Sequence, residues 1–302
     1  MRLFILIKMI KLIKRQKKNA FLFAVAILGL FLIAFGGFVE ARTTYAMPFY
    51  GLNPCEIVKR SSFSTNYSSS TLERKHNIYL ASKSIDKTMV DVGGEFSFNF
   101  VVGDRTEKRG YQKSKIIING EFADGVGGGV CQVSTTLYNA VILAGLEIVE
   151  YHPHSLPVSY VAPSFDAMVN SSYADLKFRN NTQNPIIIRA WADGDRLKID
   201  ILGQKLLEKY ERESVLVKTI PVEQDVILDI NNEYPDIYKG ESRQIKFGKE
   251  GYVSQAYLIK IAGNKRIRVK IRQDRYNATR GLIVLGNAEK PIEKTEESQS
   301  IG

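Results

Sequence analysis

The strongest chemical signal in the sequence is a cysteine that follows a run of glycines. Cys131 lies in the stretch GVGGGVCQ, residues 125–132, and apolar residues recur at helical spacing directly after it until Gly145. This spacing predicts a helix that begins near Cys131. Free amides and the helix dipole at such an N-terminus favour the thiolate, which is the nucleophilic form of cysteine. The pattern therefore indicates a candidate nucleophile.

A candidate base and a candidate orienting group follow the predicted helix. His152 and His154 come after a short predicted strand, and Asp166 lies further along the chain. An imidazole can take the proton of a thiol, and a carboxylate can orient the imidazole. We prefer His154 as the partner because Pro153 holds the segment extended and Ser155 can position the ring. His152 takes its place if the register of the strand is shifted by one residue.

The glycines before the cysteine are candidate binding residues. Gly127, Gly128 and Gly129 carry no side chains, so a substrate carbonyl can approach the amides of the helix start, as an oxyanion site requires. Gln132 and Ser134 lie next to this point in the predicted helix and complete the candidate binding set. The alternative interpretation is structural, since glycines before helices commonly form turns and single cysteines commonly pack in cores.

A metal site is a weaker interpretation of the same side chains. Cys131, His152, His154 and Asp166 could form a tetrahedral ligand set. However, the sequence has no CxxC or HExxH spacing to support one. We therefore expect no metal and no other cofactor.

The positive charge of the chain is concentrated before a long apolar run. The net charge is +10, and seven Lys and Arg residues without an acidic neighbour precede residue 20, so the remainder carries only +3. This distribution argues against nucleic-acid binding. Residues Ala20–Val39 contain no charge and are long enough for a helix across about 30 Å of hydrocarbon.

The charge asymmetry predicts how this helix is oriented in the membrane. By the positive-inside rule the N-terminus is cytoplasmic and residues 43–302 are extracytoplasmic, so the protein is a single-pass cell-membrane protein. The alternative is a signal peptide cleaved near Ala41. Two cysteines, Cys55 and Cys131, permit one disulfide in an oxidising compartment, and the sequence leaves their redox state open.

Secondary-structure patterns predict an α+β fold with a separate small β module. A capping box at Ser70–Glu73 predicts a helix over 71–87, alternation at 95–100 predicts a strand, and Asn119-Gly120 predicts a hairpin turn. The segments that we expect are a basic cytoplasmic segment 1–19, a transmembrane helix 20–39, a tether 40–62, an α+β domain 63–203, a charged linker 204–213, an all-β module 214–287 and a disordered tail 288–302.

Several of these motifs together resemble the VanW family. The resemblance runs from about Phe63 to Gly203, and the departure from the family pattern is Val92-Gly93 before Gly94, where members usually carry a proline. The motifs that carry it are Gly94-Glu95-Phe96-Ser97-Phe98-Asn99, Gly110-Tyr111, the run from Gly127 to Ala140, Gly145-Leu146-Glu147-Ile148, His152-Pro153-His154-Ser155, Asp166-Ala167 and Asp175–Asn180.

Two looser resemblances bear on the rest of the chain. The β module is similar to the five-glycine surface domain found on exported wall proteins, on markers such as Lys239-Gly240-Glu241 and Ala262-Gly263-Asn264. The order of glycine, cysteine, helix and Gly-Leu-Glu-Ile strand is similar to the start of transglutaminase-like cysteine enzymes. Those enzymes place their histidine on a later strand, so a triad of Cys131, His154 and Asp166 is a hypothesis that the likeness leaves open.

The resemblances imply a cell-envelope protein, for which three functions compete. The first is a membrane-anchored protein that binds peptidoglycan or a wall precursor, as an accessory to glycopeptide resistance. The second is a cysteine-dependent acyl transferase or hydrolase that acts on wall peptides. The third is a scaffold for other envelope proteins. The first two are distinguished by whether Cys131 is a reachable thiolate beside an imidazole. The sequence does not identify the ligand or the oligomeric state.

Overall fold

The computed structural model of the chain describes residues 56–118 and 120–290, which form an α+β structure rich in strands. Its helices are α1 (Leu72–Ile85), α2 (Phe98–Val102) and α3 (Val130–Leu143), with a 3₁₀ turn at Glu107–Arg109. The strands that precede residue 205 are β1 (Ile57–Asn66), β2 (Met89–Val90), β3 (Glu95–Ser97), β4 (Lys113–Ile118), β5 (Glu121–Val126), β6 (Glu147–Glu150), β7 (Lys177–Arg179), β8 (Ile186–Ala192) and β9 (Arg196–Gln204). Those that follow are β10 (Lys209–Ile220), β11 (Gln224–Leu228), β12 (Ser242–Lys246), β13 (Gly251–Ala262), β14 (Lys265–Tyr276) and β15 (Gly281–Leu285).

The α3 helix lies at the centre of the N-terminal core. It packs against the antiparallel sheet β1-β9-β8-β2 and against α1. Apolar α3 residues such as Leu137 and Val141 are fully buried with Ile199 and Ile201 of β9. Burial of each such side chain contributes about 1.5–3 kcal/mol. The helix that carries Cys131 is therefore held rigidly by the core.

Local sequence accounts for α1, which agrees with the predicted 71–87 helix to within two residues. Thr71 is the N-cap, because its side chain accepts a hydrogen bond from the Arg74 amide. The apolar face of the helix is fully buried, as the spacing of Ile78, Ala81 and Ile85 predicts. The helix packs against both α3 and strand β8 of the sheet.

The predicted strand at 95–100 is wrong beyond its third residue. The strand ends at Ser97, whose hydroxyl accepts from the Phe100 amide and caps the short helix α2. The same hydroxyl donates to Asp175 (2.5 Å), so a distant carboxylate holds the cap in place. The alternation of apolar and polar residues carries no information about this long-range hydrogen bond. The hairpin of β4 and β5 has the predicted position, with Ile118 opposite Glu121.

The C-terminal module consists of two three-stranded sheets, β10-β13-β14 and β11-β15-β12. The prediction of a linker over 204–213 is wrong, since β9 extends to Gln204 and β10 already begins at Lys209. Ala256, Leu258 and Ile271 of the module belong to the same hydrophobic core as the N-terminal domain. Charged residues alternate between the two faces of β10, an edge strand, with Glu211 and Glu213 paired to Arg266 and Arg268 and Arg212 facing α3. A pattern of charges alone cannot distinguish such a strand from a linker. The tail also begins later than 288, because Ala288 pairs with Tyr238.

Membrane and disulfide predictions concern residues that are not described. Within 56–118 and 120–290 no helix is long and apolar enough to cross a membrane. The predicted span Ala20–Val39, most of the tether, Cys55 and residues 291–302 lie outside the described residues.

Arg212 of β10 is the clearest contact between the module and the N-terminal domain, and its replacement should destabilise the protein. The guanidinium lies over the rings of Phe63 (4.2 Å) and Phe165 (4.7 Å) and donates to Asn139 of α3. We expect Arg212→Met to lower the free energy of unfolding by about 1–3 kcal/mol, because the buried amide loses a donor and the rings lose a cation. Urea denaturation measures the change.

The matched control is Arg266→Met in the same sheet. Arg266 is exposed and pairs with Glu211, so its loss should change the free energy of unfolding by less than about 0.5 kcal/mol. Equal effects of the two substitutions would contradict the assignment of Arg212 as a contact that joins the two parts.

Candidate functional site

Cys131 is the second residue of α3, and a glycine sets the start of that helix. Gly129 is the N-cap with a φ of 109°, a conformation that favours glycine, and a Cβ there would lie 3.0–3.1 Å from Ile78 and Arg74 of α1. The Cys131 side chain is half-buried. Among the described residues no backbone acceptor forms a hydrogen bond with the Cys131 amide. That amide is free to bind an oxyanion beside the thiol.

His154 and Asp166 lie on the loop that connects β6 to β7, and α3 holds this loop with its polar side chains. Ser134 donates to the Ala167 carbonyl (2.6 Å), and Asn139 donates to the Phe165 carbonyl (2.7 Å). These two hydrogen bonds flank Asp166 in the chain. The same helix that presents the cysteine therefore positions the aspartate.

The imidazole of His154 is bound to the carboxylate of Asp166 inside the protein. The Nδ1–H of His154 donates to Oδ2 of Asp166 (2.7 Å), and the His154 backbone amide donates to the same oxygen (2.7 Å). Both side chains are at most 5% exposed. Because Nδ1 faces Asp166, Nε2 is the ring nitrogen left for another partner. The thiol of Cys131 donates to the Val169 carbonyl (3.4 Å) and lies close enough to His154 for the imidazole to lower its pKa.

The electrostatics favour a thiolate next to an imidazolium. Burial raises the pKa of Cys131, but the hydrogen bond and charge of His154 outweigh burial, so that the pKa lies below its usual range. Burial lowers the pKa of His154, but Asp166 and Cys131 raise it to about 9. Burial raises the pKa of Asp166, while His154 and Arg272 hold it below its usual range. At neutral pH Asp166 is therefore an anion and His154 a cation, and the charge of His154 favours the thiolate of Cys131.

Two further groups near the thiol carry no recognisable signal in the sequence. Arg105 has its pKa lowered by burial, is held by Asn99 (2.8 Å) and the Gly103 carbonyl (3.2 Å), and its charge also lowers the pKa of Cys131. Tyr160 has its pKa raised by burial and by the charges of Cys131 and Asp166. Both lie on irregular segments without a motif, so only the folded chain reveals them.

Two more residues near the site come from the C-terminal module. Tyr276, at the end of β14, donates its hydroxyl proton to Oδ1 of Asp166 (2.5 Å). Arg272 of the same strand donates to the Asp166 backbone carbonyl (2.7 Å). Both residues are almost fully buried. The aspartate is thus enclosed between two parts of the chain that lie more than a hundred residues apart.

The comparison with protein families identifies the domain around this site. The model of the family described as "VanW like protein" matches residues 73–202, which include Cys131, His154 and Asp166. Over these residues the chain is similar to the VanW family. The resemblance predicted from the motifs is thereby confirmed.

Two curated proteins are similar to the chain. The uncharacterized protein YoaR of Bacillus subtilis is 43% identical over 165 residues, which cover 53% of this chain and 54% of that protein. The vancomycin B-type resistance protein VanW of Enterococcus faecalis is 28% identical over 138 residues, which cover 44% and 49% of the two chains. The chain therefore spans about half the length of the curated relatives that it matches.

Two solved G5-domain structures also align with about a quarter of the chain. The G5 domain of an IgA1 protease covers 27% of this chain and 92% of its own, with 16% identity and a TM-score of 0.20. The structure of HP0197-G5 covers 26% and 97%, with 16% identity and a TM-score of 0.17.

The predicted binding residues of the VanW domain lie around the thiol but are internally engaged. Gly128 is packed so tightly that a Cβ would lie 2.7 Å from the Lys115 carbonyl. Gln132 is buried, donates to the Asn66 carbonyl (2.9 Å) and accepts from Arg74 (3.0 Å). Together with Gly129 and Ser134, described above, these residues shape the site. Gly127 is half-buried beside Arg105, where a Cβ would lie 3.1 Å from the arginine Cβ.

His152 is not part of the cluster around Cys131. Its Nε2 lies 3.0 Å from a carboxylate oxygen of Glu150, at the end of β6. His154 is therefore the histidine that the fold brings to the thiol and to Asp166. Among the described residues no group of three or more His, Cys, Asp or Glu side chains could hold a metal ion.

The electrostatics predict how the reactivity of Cys131 depends on pH. The rate of alkylation by iodoacetamide follows the thiolate fraction of Cys131. In a plot of this rate against pH, the midpoint of the rise should therefore lie below the free-cysteine pKa of about 8.5. His154→Gln removes the adjacent cation and should raise the midpoint of this pH profile by about 1–3 pH units. Alkylation rates of Cys55→Ser protein, followed by mass spectrometry, provide the profile.

His152→Gln is the control for the loss of an imidazole. It should leave the alkylation profile within about 0.3 units of the parent protein, because His152 pairs with Glu150. A midpoint at or above about pH 8.5 in the parent protein would show that the thiol is not activated.

Proposed function

We propose that this VanW-family protein is a cysteine-dependent acyl-transfer enzyme, a transferase or a hydrolase, that acts on cell-wall peptides. The nucleophile is Cys131, the general base and acid is His154, and Asp166 orients the imidazole. The observation that carries the proposal is the bond of 2.7 Å from His154 Nδ1 to Asp166, which leaves Nε2 of the ring for another partner, close to a thiol whose pKa His154 lowers. A protein that only binds its ligand does not need this arrangement.

The groups account for each bond that changes in acyl transfer. The thiolate of Cys131 attacks the carbonyl carbon of a peptide bond, a C–S bond forms, and the negative charge on the carbonyl oxygen is met by the Cys131 amide. His154 then gives its Nε2 proton to the leaving amine as the C–N bond breaks, which leaves a thioester. An amine or a water molecule attacks the thioester and returns its proton to His154, so that the thiolate is regenerated.

The substrate class rests on the relatives and on the predicted location. One relative is named a vancomycin resistance protein, and glycopeptide antibiotics act on wall peptides. The charge asymmetry around Ala20–Val39 supports a single-pass membrane anchor that places the rest of the chain outside the cytoplasm, next to such peptides. Arg105 near the thiol adds a positive charge that suits the carboxylates of wall peptides.

A second candidate function is that of a module that binds peptidoglycan or its precursors without turnover. The observation that favours it is a cavity of about 320 Å³ lined by Leu80, Lys83, Ser84, Arg109 and Tyr111. Its lining includes none of the three residues of the thiol cluster, and two of its side chains are cationic. The C-terminal module would then add a second contact and so increase the avidity for the wall.

Turnover of wall fragments distinguishes the two functions. Full-length protein is incubated with purified muropeptides, and the products are identified by mass spectrometry. We expect Cys131→Ala to abolish product formation and His154→Gln to lower its rate by about 10²–10⁴-fold, since the general base is lost. His152→Gln should retain the parental rate.

The contrary result would be binding without turnover. If parent and Cys131→Ala proteins bind muropeptides with equal affinity and neither forms a product, the enzymatic function fails and the binding function stands. Loss of binding on Lys83→Gln with Arg109→Gln would then identify the cavity as the binding site.

The membrane anchor has its own test. Protease added to intact protoplasts should digest residues beyond Arg42, because the positive-inside rule places them outside. A cytoplasmic marker protein controls for lysis. Full protection of the chain in unbroken protoplasts would contradict this orientation.

A further inference from the structure

We propose that the C-terminal module completes the catalytic site, because Tyr276 and Arg272 of β14 position Asp166 and act on Cys131 through it. The inference rests on the proposed function of the thiol cluster and adds two positioning residues to it. Both residues lie outside residues 73–202, the part of the chain that the VanW family model matches.

Tyr276 completes the hydrogen bonding of the aspartate. Oδ2 of Asp166 accepts both bonds from His154, while Oδ1 accepts the bond from the Tyr276 hydroxyl. That hydroxyl accepts in turn from the Ser164 amide (2.7 Å), so its proton is directed at Asp166. With a donor on each oxygen, the carboxylate cannot rotate away from His154 without breaking a buried hydrogen bond. Such a loss costs about 1–3 kcal/mol.

Arg272 brings a second positive charge, after that of His154, to the aspartate. Its Nε donates to Asp274 (2.7 Å), and its Nη2 lies 3.5 Å from Oδ1 of Asp166. In the described part of the chain Nη2 has no hydrogen-bond acceptor at normal distance. The guanidinium lies over the ring of Tyr151 (4.2 Å) and is 4% exposed. The module thus brings a buried cation to a buried carboxylate.

Docking of the two parts does not by itself require these buried charges. Ser254 of β13 already meets Ser164 (2.6 Å between hydroxyl oxygens), and Arg212 already spans the junction. Desolvating a guanidinium and a carboxylate costs several kcal/mol, which apolar contacts of similar volume would avoid. A role in orienting Asp166 explains why charged and hydroxyl groups meet at this point.

A double-mutant cycle on Cys131 reactivity tests the proposal without knowledge of the substrate. In full-length Cys55→Ser protein, the rate of iodoacetamide alkylation of Cys131 is measured across pH for Tyr276→Phe, Asp166→Asn and the double variant. If Tyr276 acts through Asp166, Tyr276→Phe lowers the rate near neutral pH by about threefold to tenfold. It has no further effect in the Asp166→Asn background.

Tyr252→Phe is the matched control. Tyr252 lies opposite Tyr276 in the strand pair, with ring centroids 5.1 Å apart, and among the described hydrogen bonds none joins its hydroxyl to Asp166. Like Tyr276→Phe, the Tyr252→Phe variant loses a tyrosine hydroxyl from this sheet. The pH dependence of its alkylation should nevertheless match that of the parent protein. The low-field proton resonance of His154 Nδ1–H should move in Tyr276→Phe and not in Tyr252→Phe.

Two results would overturn the proposal. One is a parental alkylation profile for Tyr276→Phe, and the other is an equal loss of rate in the parent and Asp166→Asn backgrounds. If Tyr276→Phe does not fold, Arg272→Lys in the same cycle decides, because lysine keeps the charge but cannot donate both to Asp274 and to the Asp166 carbonyl as the guanidinium does. Activity on muropeptides is recorded in parallel. Coupling of Tyr276 to Asp166 without turnover would show that the proposed function, and not the positioning, has failed.

Discussion

The carboxylate of Asp166 is the group on which the candidate site depends. A buried carboxylate is costly unless each of its oxygens is paired, and here one oxygen faces His154 while the other faces Tyr276. Its charge stabilises the imidazolium, and the imidazolium stabilises the thiolate of Cys131. The loop between β6 and β7, the start of α3 and the end of β14 must all be in place to satisfy this one group.

Polar contacts within a largely apolar core hold the segment that carries Asp166 in place. Polar side chains of α3, such as Ser134 and Asn139, are buried because they bond the backbone on both sides of Asp166. These contacts explain why an amphipathic helix carries buried hydroxyl and amide groups on one side. The same contacts limit the movement of the loop, so that the thiol and the imidazole stay aligned without a ligand.

Much of the site could be predicted from local sequence, and the failures have a common cause. The helix start at Cys131 and the pairing with His154 follow from glycine spacing and from the extended Pro153 segment. The participation of Arg105, Tyr276 and Arg272 could not be predicted, because each comes from a segment without a motif and reaches the site through long-range packing. The same reason explains the false strand at 98–100, where Asp175 supports a helix cap, and the false linker at 204–213.

Short-range spacing suffices to predict the thiol, its helix and the preference for His154 over His152, and the VanW-like domain follows from the resemblance of local motifs to that family. These features depend on neighbours within a few residues, where backbone geometry and capping dominate. The tertiary structure alone shows that β13 and β14 continue the core, that Gln132 and Ser134 serve the fold, and that β14 encloses Asp166. The contacts of β14 with Asp166 join residues more than a hundred positions apart, and no local pattern shows which distant side chain will compensate a buried charge.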